Sequence, residues 1–272
     1  MEETPTLKPG MIDSHFHYIE MIKKGLEPEK LMPEYFAAGL SAAVDISTST
    51  SNHDSRLQFA QKFDNLFITN GISPGKADAL SEDIENMLSV LDIQIIEGKE
   101  RGKTVAIGET GLDWYWKYGT REKQIFLFEK QLEMAEKHNL PVIIHNREAD
   151  RDIIDILRKK APSRGGVIHC FSSNYRVASS CIDCGFLISF AGNVTYKKNT
   201  DIQNTAAKIP LSSILAETDA PYLAPEKMRG EINHPGNVSL TYNFIAQLRG
   251  ESLESLIDGI GHNFNSLFKL NA

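Results

Sequence analysis

Two histidines placed two positions apart give the first indication of metal chemistry in this sequence. The segment reads Asp13-Ser14-His15-Phe16-His17 and overlaps the end of a short apolar run. Because residues i and i+2 of a β-strand share a face and lie roughly 6.5 Å apart, the imidazoles of His15 and His17 can reach one metal ion. Two ordinary polar residues at the end of a strand would give the same pattern. Asp13 lies on that face, and we expect its carboxylate to orient an imidazole.

Four further candidate ligands each lie at the end of another apolar run. Glu109 lies beside glycines and is a candidate bridge between two metal ions. His145 and His169 follow their runs directly, although a lone histidine there is more often a hydrogen-bonded core group. Asp219 precedes a turn that contains a proline, and its carboxylate could instead stabilise that turn. The indication becomes strong because four histidines and two carboxylates follow five of the predicted strands.

The elements that must position these residues alternate between short apolar runs and amphipathic stretches. Stretches over 84–95 and 125–135 place apolar residues on one helical face, and Thr120 is a plausible cap of the second. Many of the apolar runs carry isoleucine or valine, as buried parallel strands do. The runs lie near residues 11–15, 40–46, 66–72, 104–109, 140–145, 166–170, 186–190 and 214–218.

Eight repeats of strand and helix predict an α/β fold, namely a single (β/α)₈ TIM-type barrel with closing C-terminal helices over 239–270. The length of 272 residues suits one metal-dependent hydrolase barrel domain over 1–272. A doubly wound open sheet has the same alternation, and periodicity alone does not separate the two folds. In a barrel, the carboxyl ends of the strands form the catalytic face, which would gather the candidate ligands at one rim.

Composition and charge exclude several classes of protein. Hydrophobic residues make up 41% and charged residues 24% of the chain, which argues against a disordered or disulfide-stapled protein. The three cysteines suggest a reducing compartment. We expect no membrane-spanning helix and no signal peptide, and hence a cytoplasmic protein. The net charge of −7 argues against coating of nucleic acid through bulk charge, but not against an enzyme that binds phosphates in a locally basic cleft.

Taken together, the candidate segments resemble the TatD-type metal-dependent deoxyribonucleases, within the amidohydrolase-like barrel superfamily. The resemblance extends over almost the whole chain. It rests on the segments Asp13-Ser14-His15-Phe16-His17, Ile107-Gly108-Glu109-Thr110-Gly111-Leu112-Asp113, Pro141-Val142-Ile143-Ile144-His145-Asn146-Arg147-Glu148-Ala149, Val167-Ile168-His169-Cys170-Phe171-Ser172 and Glu217-Thr218-Asp219-Ala220-Pro221-Tyr222-Leu223.

The resemblance implies a (β/α)₈ barrel that binds two divalent metal ions, for which Zn²⁺, Mn²⁺ and Mg²⁺ are the candidates. It also implies hydrolysis of phosphodiester bonds, usually at DNA ends or in single strands, by a hydroxide held between the two ions. The metal ligands it implies are His15, His17 and Asp219 on one ion, His145 and His169 on the other, and Glu109 as the bridge.

Several residues are candidates for catalysis and for contact with the substrate. We expect Asp219 to accept a proton from the attacking water as well as to bind a metal ion. Arg147 follows His145 by two positions, so it should face the same rim and could bind a phosphate with two hydrogen bonds. Lys197 and Lys198 follow the seventh strand and could support it. All three basic residues could equally be ordinary surface charges.

Two more features of the sequence leave alternatives open. The aromatic run over 114–116 could stack on nucleic-acid bases or pack over the barrel mouth. His53 is expected at the surface or at a helix end.

One segment departs from the family pattern. Where the family usually has Gly-x-His-Pro-His, this sequence reads Gly71-Ile72-Ser73-Pro74-Gly75. Ser73 and Gly75 therefore replace two histidines that could hold a phosphate or donate a proton. Because the metal ligands are all retained, we still expect hydrolysis, but the natural substrate is less well defined by the resemblance.

Two alternatives to a nuclease remain open. The same barrel and metal ions could act on a small amide, ester or lactone. Some relatives of that kind bridge their metals with a modified lysine on the fourth strand, whereas here Lys103 lies at the start of that strand and Glu109 holds the rim position. The other alternative is a barrel that binds a metal ion or a partner without turnover. The sequence does not indicate any particular protein partner.

Overall fold

The computed structural model of the chain describes residues 6–79, 84–116 and 118–270. Eight strands lie within these residues: β1 Met11–Phe16, β2 Leu40–Asp45, β3 Leu66–Asn70, β4 Thr104–Asp113, β5 Val142–Arg147, β6 Gly166–Ile168, β7 Phe186–Phe190 and β8 Ile214–Ala216. Ten α-helices lie within them: α1 Tyr18–Lys23, α2 Pro28–Ala38, α3 His53–Ala60, α4 Ile84–Glu100, α5 Arg121–His138, α6 Asp150–Lys160, α7 Tyr175–Asp183, α8 Thr200–Lys208, α9 Val238–Arg249 and α10 Leu253–Phe268.

The eight strands belong to one sheet, in which they follow one another in sequence order from β1 to β8. Parallel strands with helices between them form a nearly closed barrel, so the predicted TIM-type α/β barrel is confirmed and the doubly wound open sheet is excluded. The last two helices, α9 and α10, are the closing helices expected over 239–270. The predicted cap at Thr120 is also confirmed, because its side chain accepts a hydrogen bond from the Lys123 backbone N–H.

The fourth strand runs further than the sequence predicts. The apolar run ends near residue 109, but β4 continues to Asp113 because its pairing with β5 shifts in register and then resumes. Beyond the shift, Gly111 pairs with His145 and Asp113 pairs with Arg147. The additional residues of β4 therefore lie directly beside the two β5 residues that are candidates for metal and substrate binding.

Gly111 is required where β4 passes β5. Its φ angle of +136° lies in a region that favours glycine, and an added Cβ would lie 2.0 Å from the His145 carbonyl oxygen. Any larger residue would push the two strands apart at this point. The glycine thus allows the backbone of His145 to approach β4 closely.

Two compact units make up the chain. One is drawn from Met1–Val44, Cys170–Ser179 and Leu187–Ala272, and the other from Asp45–His169 and Ser180–Phe186. The single domain expected over 1–272 stays a prediction, and the positions 1–5, 80–83, 117, 271 and 272 of that range lie outside the described residues. Within the described part of the chain, every helix is too short or too polar to cross a membrane.

In the first unit, α9 is anchored on β1 and β1 on β8. Tyr242 of α9 is fully buried, and its hydroxyl accepts a hydrogen bond from the backbone N–H of Ile12 at 3.2 Å. The Ser14 hydroxyl donates to the carbonyl oxygen of Ala216 at 3.1 Å. These contacts hold β1, which carries His15 and is followed directly by His17.

In the second unit, a buried ion pair attaches α3 to β2 and β3. Arg56 Nε donates to Asp45 Oδ2 at 2.7 Å, and both side chains are at most 3% exposed. The remaining guanidinium nitrogens donate to the carbonyl oxygens of Thr69 and Asp45 at 3.0 and 2.7 Å. Because every charged group has a partner, the pair is tolerated in the interior.

We expect the substitution Arg56→Met to lower the free energy of unfolding by about 3–5 kcal/mol, because Asp45 would keep a buried charge without its counter-ion. Urea denaturation followed by circular dichroism measures this difference. The matched control is Arg151→Met, which removes the same charge from a side chain that is 92% exposed and should leave stability nearly unchanged. Equal effects of the two substitutions would contradict the role given to Arg56.

Candidate metal centre

His15, His17 and Asp219 form a first group of donors, at the carboxyl end of β1 and just beyond β8. The two Nε2 atoms of His15 and His17 lie 3.2 Å apart, and Asp219 Oδ1 lies 3.6 Å and 3.3 Å from them. Ligand atoms bound at 2.0–2.2 Å to a tetrahedral ion are themselves about 3.4 Å apart. The donors are therefore spaced as the ligands of one divalent ion would be.

Backbone pairing between β1 and the segment after β8 positions this group. The Asp219 N–H donates to the His15 carbonyl oxygen at 2.9 Å, and the His17 N–H donates to that of Ala220 at 2.8 Å. Asp219 has a φ of +55°, a left-handed conformation that is uncommon for a residue other than glycine. Such a conformation persists only where neighbouring contacts enforce it, and these two hydrogen bonds lie on either side of it.

Asp13 holds the backbone of this group. Its Oδ1 accepts hydrogen bonds from the backbone N–H groups of His15 and Thr218 at 3.2 and 2.9 Å, and its Oδ2 accepts the Thr218 hydroxyl at 2.6 Å. Its partners are amides and a hydroxyl, and not an imidazole as we expected from the sequence. Complete burial raises the pKa of Asp13 to about 8, although the hydrogen bonds from Thr218 and His15 oppose this rise.

Glu109, His145 and His169 form a second group of donors, on β4, on β5 and just beyond β6. Glu109 Oε2 lies 3.5 Å from His169 Nε2, and the rings of His145 and His169 are 5.6 Å apart. Each of the three offers a ligand atom within 4.8 Å of the others. The parallel register explains this, because β5 and β6 pair Ile144 with Ile168 and each histidine follows one of these residues.

Asp113 orients His145 and was given no role by the sequence analysis. Its Oδ2 accepts a hydrogen bond from His145 Nε2 at 2.9 Å, which leaves Nδ1 as the ring nitrogen that can bind a metal ion. Metal-binding histidines commonly donate their other N–H to a carboxylate in this way. Burial acts to raise the pKa of Asp113, but hydrogen bonds from His145 and from the Trp116 backbone outweigh it and hold the pKa below its usual value.

Glu217 is a second residue for which the sequence predicts no role. Its side chain is fully buried, and Oε1 accepts a hydrogen bond from the Cys170 backbone N–H at 2.7 Å. A signal was present, because Glu217 precedes Asp219 by two positions. Asp113 carried the same kind of signal, since it lies four positions beyond Glu109 on one strand.

Arg147 stacks on the aromatic loop that follows β4. Its guanidinium lies 4.3 Å from the ring centre of Tyr115 and 5.9 Å from that of Trp116. The two aromatic side chains are 49% and 50% exposed. Asp113 Oδ1 accepts the backbone N–H groups of both residues at 3.0 and 2.8 Å. The carboxylate that orients His145 therefore also fixes this loop.

Trp114, the first residue of the aromatic run, contacts different partners from Tyr115 and Trp116. Trp114 Nε1 donates to Asp152 Oδ2 at 2.9 Å, and the Arg121 guanidinium lies 4.6 Å from its ring. Trp114 is therefore held by neighbours on α5 and α6. Lys197 and Lys198 are exposed in the turn before α8, and their contact with a substrate stays a prediction.

Ser73 and Gly75 lie at the start of a 3₁₀ helix, Pro74–Ala79. A Cβ added at Gly75 would lie 3.7 Å from the ring of Tyr118, so that ring occupies the space beside this position. Burial raises the pKa of the Tyr118 hydroxyl, and the carboxylates of Asp113 and Glu109 raise it further. Tyr118 is thus near the second donor group, which the sequence did not indicate.

Lys103 lies immediately before the amino end of β4, whereas Glu109 lies within the strand, further towards its carboxyl end. Its ammonium group donates to the carbonyl oxygens of Phe63, Asp64 and Leu66. It is therefore not in the position of a lysine that could bridge metal ions at the carboxyl ends of the strands.

Comparisons with known proteins identify the family of the chain. The sequence model of a family described as TatD related DNase matches residues 12–269. The chain is 31% identical over 265 residues to the uncharacterized metal-dependent hydrolase YcfH of Escherichia coli (strain K12), covering 96% of this chain and 97% of that protein. It is 33% identical over 216 residues to the uncharacterized metal-dependent hydrolase YabD of Bacillus subtilis (strain 168), covering 79% and 82%.

A solved structure gives the same result. The crystal structure of YJJV, a TatD homolog from Escherichia coli K12, matches with a TM-score of 0.88 at 27% identity, over 96% of this chain and 99% of that one. The resemblance indicated by the sequence motifs is therefore confirmed.

We expect Asp113→Asn to weaken the binding of a divalent ion at Glu109, His145 and His169 by about 10–100-fold, because an amide nitrogen facing His145 Nε2 cannot accept its proton. Titration of metal-free protein with Zn²⁺ against a competing chelator measures the affinity. Asp155→Asn on α6 removes an equal charge from a side chain that is 49% exposed, and it should bind as the wild type does. Unchanged affinity in the Asp113 variant would contradict its orienting role.

Proposed function

The chain belongs to the TatD family of metal-dependent hydrolases, and from this premise we propose that it hydrolyses phosphodiester bonds at DNA ends or in single-stranded DNA. One observation carries the proposal, namely that two groups of imidazole and carboxylate donors follow the carboxyl ends of the strands. We assign one divalent ion to each group: His15, His17 and Asp219 for the first, and Glu109, His145 and His169 for the second.

The donor types restrict the identity of the ions. Imidazole and carboxylate ligands suit Zn²⁺ or Mn²⁺, and the carboxylates also permit Mg²⁺ when the cell supplies it in excess. The bridging role that the family resemblance implies for Glu109 stays a prediction. When bound, such ions lower the pKa of water and neutralise the negative charge of a phosphate.

Asp219 is the proposed general base. The residue is 9% exposed, and its Oδ1 lies 3.6 and 3.3 Å from the Nε2 atoms of His15 and His17. An ionised carboxylate can accept the proton that the attacking water loses. General base catalysis of this kind contributes typically about 10²–10⁴-fold to a rate.

The loop after β4 supports a nucleic-acid substrate over a small amide, ester or lactone. The guanidinium of Arg147 is held against the ring of Tyr115, and a stacked guanidinium keeps its outer N–H groups for a phosphate. The exposed faces of Tyr115 and Trp116 can stack on unpaired bases. A small amide or lactone has neither the phosphate nor the base that these groups would bind.

Tyr118 is the proposed substitute for the missing histidines at positions 73 and 75. Its ring lies beside Gly75. A tyrosine hydroxyl is protonated at neutral pH, and burial and the nearby carboxylates raise the pKa of this one further. A protonated hydroxyl can donate a hydrogen bond to a phosphate oxygen. This would restore one of the donors that the family pattern has and this sequence lacks.

We expect Asp219→Asn to lower the turnover of a labelled single-stranded oligonucleotide at least about 100-fold in saturating Mn²⁺, because the general base is lost. Asparagine tolerates the positive φ of this position, so the backbone should be preserved. Asp201→Asn, an exposed change on α8, is the control. Unchanged turnover would remove Asp219 from the catalytic role, and a chelator that fails to stop the wild type would contradict metal dependence.

We expect Trp116→Ala to raise the KM for the same oligonucleotide by about 5–150-fold, since stacking on a base contributes about 1–3 kcal/mol. Hydrolysis of an abasic deoxyribose-phosphate oligomer, which has phosphodiester bonds but no aromatic ring to stack, should be unaffected. Tyr175→Ala removes another exposed aromatic side chain and should leave both reactions unchanged. Equal losses on both substrates would argue against a base-stacking role, and activity on lactones or amides alone would favour the small-molecule alternative.

A further inference from the structure

A separate cluster of potential metal ligands lies between α3 and α4. His53 is the first residue of α3, Asp54 follows it, and Glu97 lies near the end of α4. Each offers a ligand atom, and these atoms lie within 4.8 Å of one another. From the sequence, His53 is expected at the surface or at a helix end. It does begin a helix, but its side chain is only 4% exposed.

The imidazole of His53 contains a buried nitrogen that needs a partner. Nε2 is inaccessible to solvent and makes no hydrogen bond. The nearest carboxylate oxygen is Glu97 Oε2 at 3.5 Å, which is beyond the roughly 2.7–3.2 Å of an N–H···O bond. A buried polar atom without a partner is costly, so a ligand that binds this nitrogen would offset that cost.

The second ring nitrogen of His53, Nδ1, already has a partner. His53 Nδ1 lies 2.8 Å from the amide of Asn70, and that amide also contacts the Thr104 hydroxyl at 2.6 Å. A hydroxyl can both donate and accept, so rotation of the amide by half a turn preserves both contacts. After this rotation Nδ1–H donates to the amide oxygen and Nε2 carries the lone pair. This is the usual arrangement of a metal-binding histidine, whose second nitrogen donates to a fixed oxygen.

The two carboxylates complete the donor set. Glu97 Oε1 accepts a hydrogen bond from Arg101 at 3.1 Å, which orients the side chain and directs Oε2 towards His53. Asp54 is exposed, so its side chain can rotate towards an ion at little cost. One imidazole and two carboxylates together balance the charge of a divalent cation, with water free to fill the remaining positions.

We propose that His53, Asp54 and Glu97 bind a divalent transition-metal ion of the zinc or manganese class, separate from the ions assigned to the strand ends. Mixed imidazole and carboxylate ligands suit these metals. The ion joins the beginning of α3 to the end of α4 and therefore stabilises the fold. None of these side chains has a role in the proposed hydrolysis. The proposal of this metal site therefore does not depend on whether the chain is a nuclease.

Metal counting with matched variants tests the site. Metal-free protein is equilibrated with Zn²⁺, desalted and measured by atomic absorption, and the wild type should retain one more ion per chain than Glu97→Gln. Glu100→Gln removes the same charge from an exposed position on the same helix and should retain the wild-type number. Added Zn²⁺ should raise the Tm of the wild type more than that of Glu97→Gln, because an ion that binds only the folded chain stabilises it.

Crystals soaked in Zn²⁺ provide a direct measurement of the same ion. An anomalous peak should lie about 2.0–2.1 Å from His53 Nε2, should disappear in Glu97→Gln, and should persist in Asp219→Asn. The proposal is overturned if no peak lies at His53, if Glu97→Gln retains the wild-type number of ions, or if Glu100→Gln loses an ion as well. The last result would show an effect of general charge and not of coordination.

Discussion

The parallel pairing of β4 with β5 is the constraint on which the second donor group depends. It places Gly111 beside His145 and Asp113 beside Arg147, and only glycine permits the close approach. The two oxygens of Asp113 then serve different purposes, since one orients the imidazole of His145 and the other holds the backbone of the aromatic loop. A metal ligand and a surface for substrate are thus positioned by one carboxylate.

The features that depend on local periodicity could be predicted from the sequence. Eight alternating runs indicated the barrel because parallel strands need helical connections, and the side chains at the strand ends indicated the site. His15 and His17 are two positions apart on a strand, and their Nε2 atoms lie 3.2 Å apart. In each case the relevant geometry is set by neighbours in sequence or by a general rule of the fold.

The features that depend on distant partners could not be predicted. The extension of β4 to Asp113 follows from a register shift against β5, which no periodicity records. Asp13 was expected to hold an imidazole, but two of its three hydrogen-bond donors come from Thr218, more than two hundred residues away. His53 begins a helix, which was one of the two positions expected from the sequence, but its burial depends on Asn70 and α4, which contact its ring.

The backbone at Asp219 limits which mutations evolution can explore there. A φ of +55° admits glycine, asparagine and aspartate far more readily than other residues. Glycine has no ligand atom, asparagine has no negative charge, and glutamate has both but is poorly suited to this conformation. Almost no substitution of Asp219 is therefore neutral, because one small side chain must both fit the backbone conformation and supply the negative charge.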